Sequence, residues 1–187
     1  MPNEHNEPIR VLQVMTNMSY GGLENLLMNY YRQIDRTKVQ FDFLTHREYD
    51  GDYGEEIGQL GGKLYHMPVL NPFSPSYRNQ LGDFFDNHPE YKIVHSHMDK
   101  FSGHIMREAK RAGIPVRISH SHSVASSGML AYKVVKGYYG FMINPNCTDR
   151  FACSKEAGDW LFGKDYDVNV VKNGIDLKRF SCEDKRD

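Results

Sequence analysis

Charge of one sign is the first thing this sequence lacks: 23 Lys and Arg stand against 24 Asp and Glu, for a formal net charge of −1 over 187 residues. That balance excludes the broad basic field of a nucleic-acid binder and points to small partners that are uncharged or only locally charged. Cysteine is scarce as well. Cys147, Cys153 and Cys182 are odd in number and form no C-x-x-C pair, which argues against a secreted disulfide framework or a cysteine-rich zinc site and fits a reducing cytoplasm. No apolar run approaches the ~20 residues that span a bilayer, and Met1 to Arg10 is polar rather than a signal core. The expectation is a soluble, cytoplasmic protein able to touch the inner face of a membrane. Internal repeats, low-complexity segments and the dinucleotide pattern G-x-G-x-x-G are also missing.

What is present is a regular alternation. Ile9 to Met15 reads as a strand, Ser19-Tyr20-Gly21-Gly22 breaks it, and Leu23, Leu26, Leu27, Tyr30, Tyr31 and Ile34 then recur at helical spacing. Further strands are expected at Phe41 to Leu44, Lys63 to Leu70, Lys92 to Met98, Val116 to His120, Arg150 to Cys153 and Val168 to Val171. Between them lie a modest helix around Ile57 and Leu60, a helix opened by Ser74-Pro75, and one carrying Phe101, Ile105 and Ala109. Another carries Ala131, Val134, Val135, Tyr138 and Met142, and a last one is capped by Ser154. Strands separated by such helices imply right-handed crossovers. The fold class is therefore α/β: a Rossmann-like three-layer domain with a mostly parallel sheet.

Several residues along this frame carry possible chemistry. Gly21 and Gly22 let backbone amides approach a ligand where the next helix points its positive end, which suits a phosphate. A tight strand-to-helix turn also needs glycine for steric reasons alone, so the loop has two readings. Glu24 in the first helical turn suits the helix dipole. His95 and His97 are two apart on one strand, and so are His120 and His122, so each pair projects from one face near a strand's carboxyl end, the edge where open α/β sheets bind ligands. Three readings compete: a divalent-metal site, structural histidines bonded to loop carbonyls, and a polar lining for a sugar-phosphate site. Asp99 is the only acidic residue near the pairs, so no metal is expected; His95 and His104 fit the structural reading. Lys133, Lys136, Gly137 and Gly140 form one stripe of the helix that begins near Met129, flanked by Tyr132 and Tyr139. It is either a solvated face or a surface for a lipid phosphate or an anionic membrane.

Five segments then occur in a telling order: "GGLE" after the first strand, "KIVHSHM" on the fourth, "IPVRISHSHS" on the fifth, "TDRFACSKEAGDWL" on the sixth, and "VVKNGIDLKRF" at the end. From about Ile9 to Phe180 the chain resembles the N-terminal domain of retaining glycosyltransferases of the GT-B fold, of the bacterial capsular and exopolysaccharide type. The resemblance implies an acceptor-side domain over 1–172 and the start of an interdomain linker over 173–187. A C-terminal domain holding the nucleotide sugar through a paired-glutamate motif would follow, and no such motif can be matched here.

The resemblance further implies that Gly21 and Gly22 face the donor diphosphate across the cleft. A histidine after the fifth strand would face the transferred sugar; His122 matches best, with His120 close in register. His97, His120, Lys133 and Lys136 are the other candidate substrate-binding residues. The implied reaction moves a hexose from a nucleotide diphosphate sugar, the donor substrate, to a glycan or lipid-linked glycan in polysaccharide biosynthesis. It uses no metal or other cofactor, and this chain alone would be inactive. The alternatives are a metal-dependent hydrolase built on the two H-x-H pairs and a non-catalytic sugar- or nucleotide-binding module.

Overall fold

The computed structural model describes residues 7–71, 74–124 and 137–174. Seven strands are present: β1 (Ile9–Met15), β2 (Val39–Thr45), β3 (Leu64–His66), β4 (Ile93–Ser96), β5 (Val116–Ser121), β6 (Asp149–Ala152) and β7 (Asn169–Val170). They alternate with α1 (Gly22–Gln33), α2 (Gly54–Gln59), α3 (Pro75–Asn87), α4 (Ser102–Arg111) and α5 (Lys155–Phe162); residues 137–141 are also helical. Ser74 Oγ accepts from Tyr77 N at 3.3 Å and Ser154 Oγ from Ala157 N at 3.2 Å, so both expected serine caps start their helices.

All neighbouring strands run parallel, in the order β3-β2-β1-β4-β5-β6-β7. Strand order therefore reverses between β1 and β4. In an open parallel sheet that reversal splays the flanking loops apart at the carboxyl edge and leaves a crevice for a ligand.

Alternation along the strands gives each face its own core. On one side Met15 and Phe43 pack with Leu27, Met28 and Tyr31 of α1 and Ile57 of α2. On the other, Leu12, Val14, Leu44 and Val94 pack with Tyr77, Leu81 and Phe85 of α3 and Ile105, Met106 and Ala109 of α4. Both faces of the sheet are thus covered, as is usual for an all-parallel sheet.

At the amino edge sits a buried charge. Asp42 accepts two bonds from the Arg10 guanidinium, each 2.6 Å, one from Lys63 N at 2.6 Å and one from the Tyr91 hydroxyl at 2.8 Å. Pairing with Asp42 raises the Arg10 pKa above its ordinary value.

Most strand bounds shift by one or two residues, and three differences have a clear physical cause. The third strand is Leu64–His66 rather than Lys63 to Leu70, because after Met67 N donates to Thr45 O the next residue is Pro68, which has no N–H to continue the ladder. The fourth is Ile93–Ser96; His97 N still reaches Val14 O at 2.8 Å, and the chain then turns through Asp99 at φ 46°. In the helix after β5 the expected phase is off by one residue. Tyr139 is buried against Phe101 and His104, whereas Tyr138 is 61% exposed. The cause is local: a Cβ on Gly103 would strike the Tyr139 carbonyl, so this helix and α4 touch backbone to backbone and fix which tyrosine turns inward.

Candidate active site

The carboxyl edge beside the strand reversal gathers all four histidines of the two H-x-H pairs. His95 lies on β4 and His97 just past it; His120 lies on β5 and His122 just past it. The rings form one layer, with centroids 4.2 Å apart for His95 and His97, 4.0 Å for His120 and His122, and 5.2 Å for the parallel rings of His95 and His120. Phe151 of β6 packs edge-on against His95 and His120. Both pairs thus share one face, as their spacing predicts.

Hydrogen bonds cross between the strands rather than along them. His95 Nε2 lies 3.1 Å from His120 Nδ1, and His97 Nδ1 lies 2.8 Å from His122 Nε2. Gln13 of β1 closes the second chain, with Oε1 2.9 Å from His97 Nε2. Gln13 is 1% exposed, and the Nε2 of buried His120 has no partner.

Burial removes the charge from this layer. Desolvation pushes the His95 pKa down to about 3, with repulsion from His122 adding to it, and pushes that of His122 down to about 4. His120 falls to about 2, by desolvation and then by repulsion from His122 and His95, and His97 is also held well below the ordinary imidazole range. At neutral pH the rings are therefore uncharged and able to exchange hydrogen bonds with neutral polar groups.

Ring nitrogens of His95, His97 and His120 all lie within 4.8 Å of one another, so three imidazoles could converge on a metal ion. The donor set is wholly neutral, and its bonds run to other imidazoles and to an amide, without the carboxylates that usually orient zinc-binding histidines.

The loop after β1 is positioned from outside. Gly51, at φ 70°, lets its segment press against Met18, where a Cβ would come within 2.5 Å of the Met18 carbonyl carbon; Tyr53 N bonds Met18 O and Tyr20 N bonds an Asp52 carboxylate oxygen. Gly21 is the N-cap of α1 in extended backbone that any residue adopts, and a Cβ on Gly22 would meet nothing within 4 Å. The steric explanation for these two glycines therefore fails. A Cβ on Gly21 would meet only the flexible end of Glu24, whose carboxylate folds back over the amino end of α1.

With the fold and this edge in place, comparison with known proteins decides the family. Residues 20–179 match the family model described as Glycosyltransferase Family 4. The chain belongs to glycosyltransferase family 4. A curated relative is EpsF of Bacillus subtilis (strain 168), whose name carries the word glycosyltransferase; it is 39% identical over 180 residues, covering 92% of this chain and 47% of its own length. The chain thus spans about half the length of that relative. Among solved structures, HepE of Anabaena in complex with UDP and glucose superposes with a TM-score of 0.64 at 17% identity, over 91% of this chain and 46% of HepE. The lipopolysaccharide outer core galactosyltransferase WaaB superposes at 0.59 with 13% identity, over 89% and 46%. At such identities the two superpositions establish the Rossmann-like fold and nothing finer.

The other candidate residues of this family 4 chain are distributed as follows. His104 is buried on α4 with Tyr77 and Tyr139, away from the quartet, and its pKa falls to about 4 through desolvation first. Lys133, Lys136 and Tyr132 lie outside the described residues; Gly137 is exposed, and Tyr139, expected to flank the lysine stripe, faces the core. Two contributors escaped the sequence reading. Gln13 is a polar residue in the middle of an apolar strand, a signal that was there to be used. Asp99, considered only as a metal ligand, is the one non-glycine residue among those described with positive φ, and its carboxylate oxygens accept from Ser123 Oγ at 3.3 and 3.4 Å, tying the β4 loop to the β5 loop.

Proposed function

We propose that this chain is the acceptor-side half of a two-domain, retaining glycosyltransferase that transfers a hexose from a nucleotide diphosphate sugar to a glycan or lipid-linked glycan hydroxyl in polysaccharide biosynthesis. One observation carries the reading. An uncharged, mutually bonded imidazole layer stands at the carboxyl edge beside the strand reversal, and such a surface suits sugar hydroxyls rather than a bare anion or a hydride acceptor. In this scheme His122 positions the transferred sugar, with His97 and His120 behind it, and the amides at Gly21 and Gly22 compensate charge on the diphosphate leaving group. Neither glycine carries a steric burden that would account for it otherwise. A C-terminal domain beyond the 173–187 linker would hold the donor, and Lys133 and Lys136 would face the acceptor. The proposed setting is the cytoplasm at the inner face of the membrane. Among the described residues no helix is long and apolar enough to cross a bilayer, while Phe141, 84% exposed, and Tyr138 suit a peripheral contact.

Calorimetry of the isolated chain with several nucleotide diphosphate sugars, beside a transfer and donor-hydrolysis assay, tests the division of labour. Weak or undetectable donor binding and no transfer are expected; micromolar donor binding by this chain alone would point to a self-contained nucleotide-sugar protein instead. The convergence of His95, His97 and His120 keeps a metal-dependent hydrolase as the second reading. Elemental analysis of protein purified without chelator is expected to find no stoichiometric zinc, manganese or iron, and one equivalent of any of them would favour that reading.

A further inference from the structure

We infer that Gln13 is a positioning residue that fixes the tautomer of His122 through His97, so that His122 meets its ligand as a hydrogen-bond acceptor. The inference rests on the proposed placement of His122 against the transferred sugar and adds to it the chemical class of group that His122 can receive.

A neutral imidazole carries one N–H and one lone pair. Gln13 Oε1, 2.9 Å from His97 Nε2, can only accept, so the His97 proton sits on Nε2. His97 Nδ1 is then a lone pair, and its 2.8 Å bond to His122 Nε2 requires that His122 donate from Nε2. His122 Nδ1 is left unprotonated, and it has no hydrogen-bond partner among the described residues. With the Gln13 carboxamide presenting Oε1 to the ring, as it does in the structure, each step follows from the one before. The other pair, His95 and His120, ends on the unpartnered His120 Nε2 and has no such anchor, so nothing in it selects a direction.

An acceptor nitrogen at this point takes a hydroxyl and rejects a carboxylate or phosphate oxygen, which has no proton to give and would face the lone pair unpaired. The transferred sugar is therefore of the class that presents a hydroxyl to His122, a neutral hexose rather than a uronic acid carrying its carboxylate there.

Long-range proton–nitrogen correlation spectra of the 15N-labelled chain read each tautomer directly. Wild type is expected to show His97 and His122 both as Nε2–H, with His122 Nδ1 at the shift of an unprotonated ring nitrogen. Gln13→Met removes the acceptor and should populate both tautomers of His122, while Gln13→Glu, whose buried carboxylate shares an added proton with His97 Nε2, should reverse the pattern and leave His122 as Nδ1–H. A proton on His122 Nδ1 in wild type, or an unchanged His122 in a folded Gln13→Met protein, overturns the inference. Should Gln13→Met fail to fold, the wild-type and Gln13→Glu spectra still decide. In the two-domain enzyme, Gln13→Met should lower kcat about 10-fold with donor KM little changed, the size of one misoriented hydrogen bond. Altered tautomers with unaltered turnover would leave the Gln13 relay standing and remove His122 from contact with the sugar.

Discussion

The two edges of the sheet bury polar groups in opposite ways. At the amino edge the Asp42 carboxylate is enclosed, and everything around it answers its charge: Arg10 twice, Tyr91 once and a backbone N–H once. At the carboxyl edge four imidazoles are packed together without a counter-charge among the described residues, bonded to one another and to an amide, and the Nε2 of His120 goes unmatched. A saturated cluster has nothing left to offer a ligand, and its removal unbalances the protein. An unsaturated cluster of neutral groups costs stability in isolation and has hydrogen-bonding capacity to spare. Polarity held in reserve is a mark of a site, and saturated polarity a mark of architecture.

Acid should break the contrast most forcefully. Histidines 46, 95, 97, 104, 120 and 122 all have folded-state pKa values below the ordinary 6.5, with burial the first cause in each case. A lowered histidine pKa means the unfolded chain binds the proton more readily. Stability is then complete above about pH 6.5 and is lost as pH falls toward the folded values, at up to about 1.4 kcal/mol per pH unit for each histidine. Denaturant titrations from pH 7 to pH 5 should show a loss of several kcal/mol, and a flat profile would mean that the rings are not held neutral. Next in size is the opposite edge. Asp42→Ala leaves Arg10 without its partner and should cost about 3–5 kcal/mol by equilibrium unfolding, while the histidine nitrogen shifts of the folded fraction stay as in wild type.

Smaller effects separate function from stability at the carboxyl edge itself. In the two-domain enzyme, His122→Ala should lower turnover about 10²–10³-fold with little change in nucleotide affinity, measured by steady-state kinetics beside nucleotide titration. Loss with His120→Ala in its place would move the sugar contact by one step along β5. Gly21→Val should give the smallest change, about a tenfold loss of kcat/KM with a nearly unaltered melting temperature, because the backbone there accepts any residue, the flexible Glu24 carboxylate can move aside, and the approach of a diphosphate is obstructed. A large drop in melting temperature with normal turnover per folded molecule would return Gly21 to a purely structural role.

The sequence carried the element order because strand-like segments alternate with apolar residues at helical spacing, and local chemistry decides boundaries such as Pro68, Gly113 and the caps Ser74 and Ser154. It carried the shared face of each H-x-H pair because a strand alternates sides at every residue. It could not carry the bond from Gln13 to His97, which depends on β1 and β4 lying side by side, a consequence of strand order that no local pattern encodes. The burial of Tyr139 in place of Tyr138 escaped for a related reason. Helical periodicity gives spacing but not phase, and here the phase is set by the contact with Gly103.

The place of β1 between β2 and β4 also bears on how the chain is made. Val11 is paired on one side with Phe41 and on the other with Ile93, so the central strand gains its second neighbour only after the chain has grown through β4. During synthesis the first three strands form a sheet whose β1 edge is open, apolar and unpaired, the kind of edge that recruits foreign strands. Closing it requires a loop that spans β2, β3 and α3, a slow step for a chain otherwise assembled from neighbours. The interval between the emergence of Met15 and that of Ser96 leaves this β1 edge uncovered, and it ends with the same pairing that seats Gln13 beside the histidines.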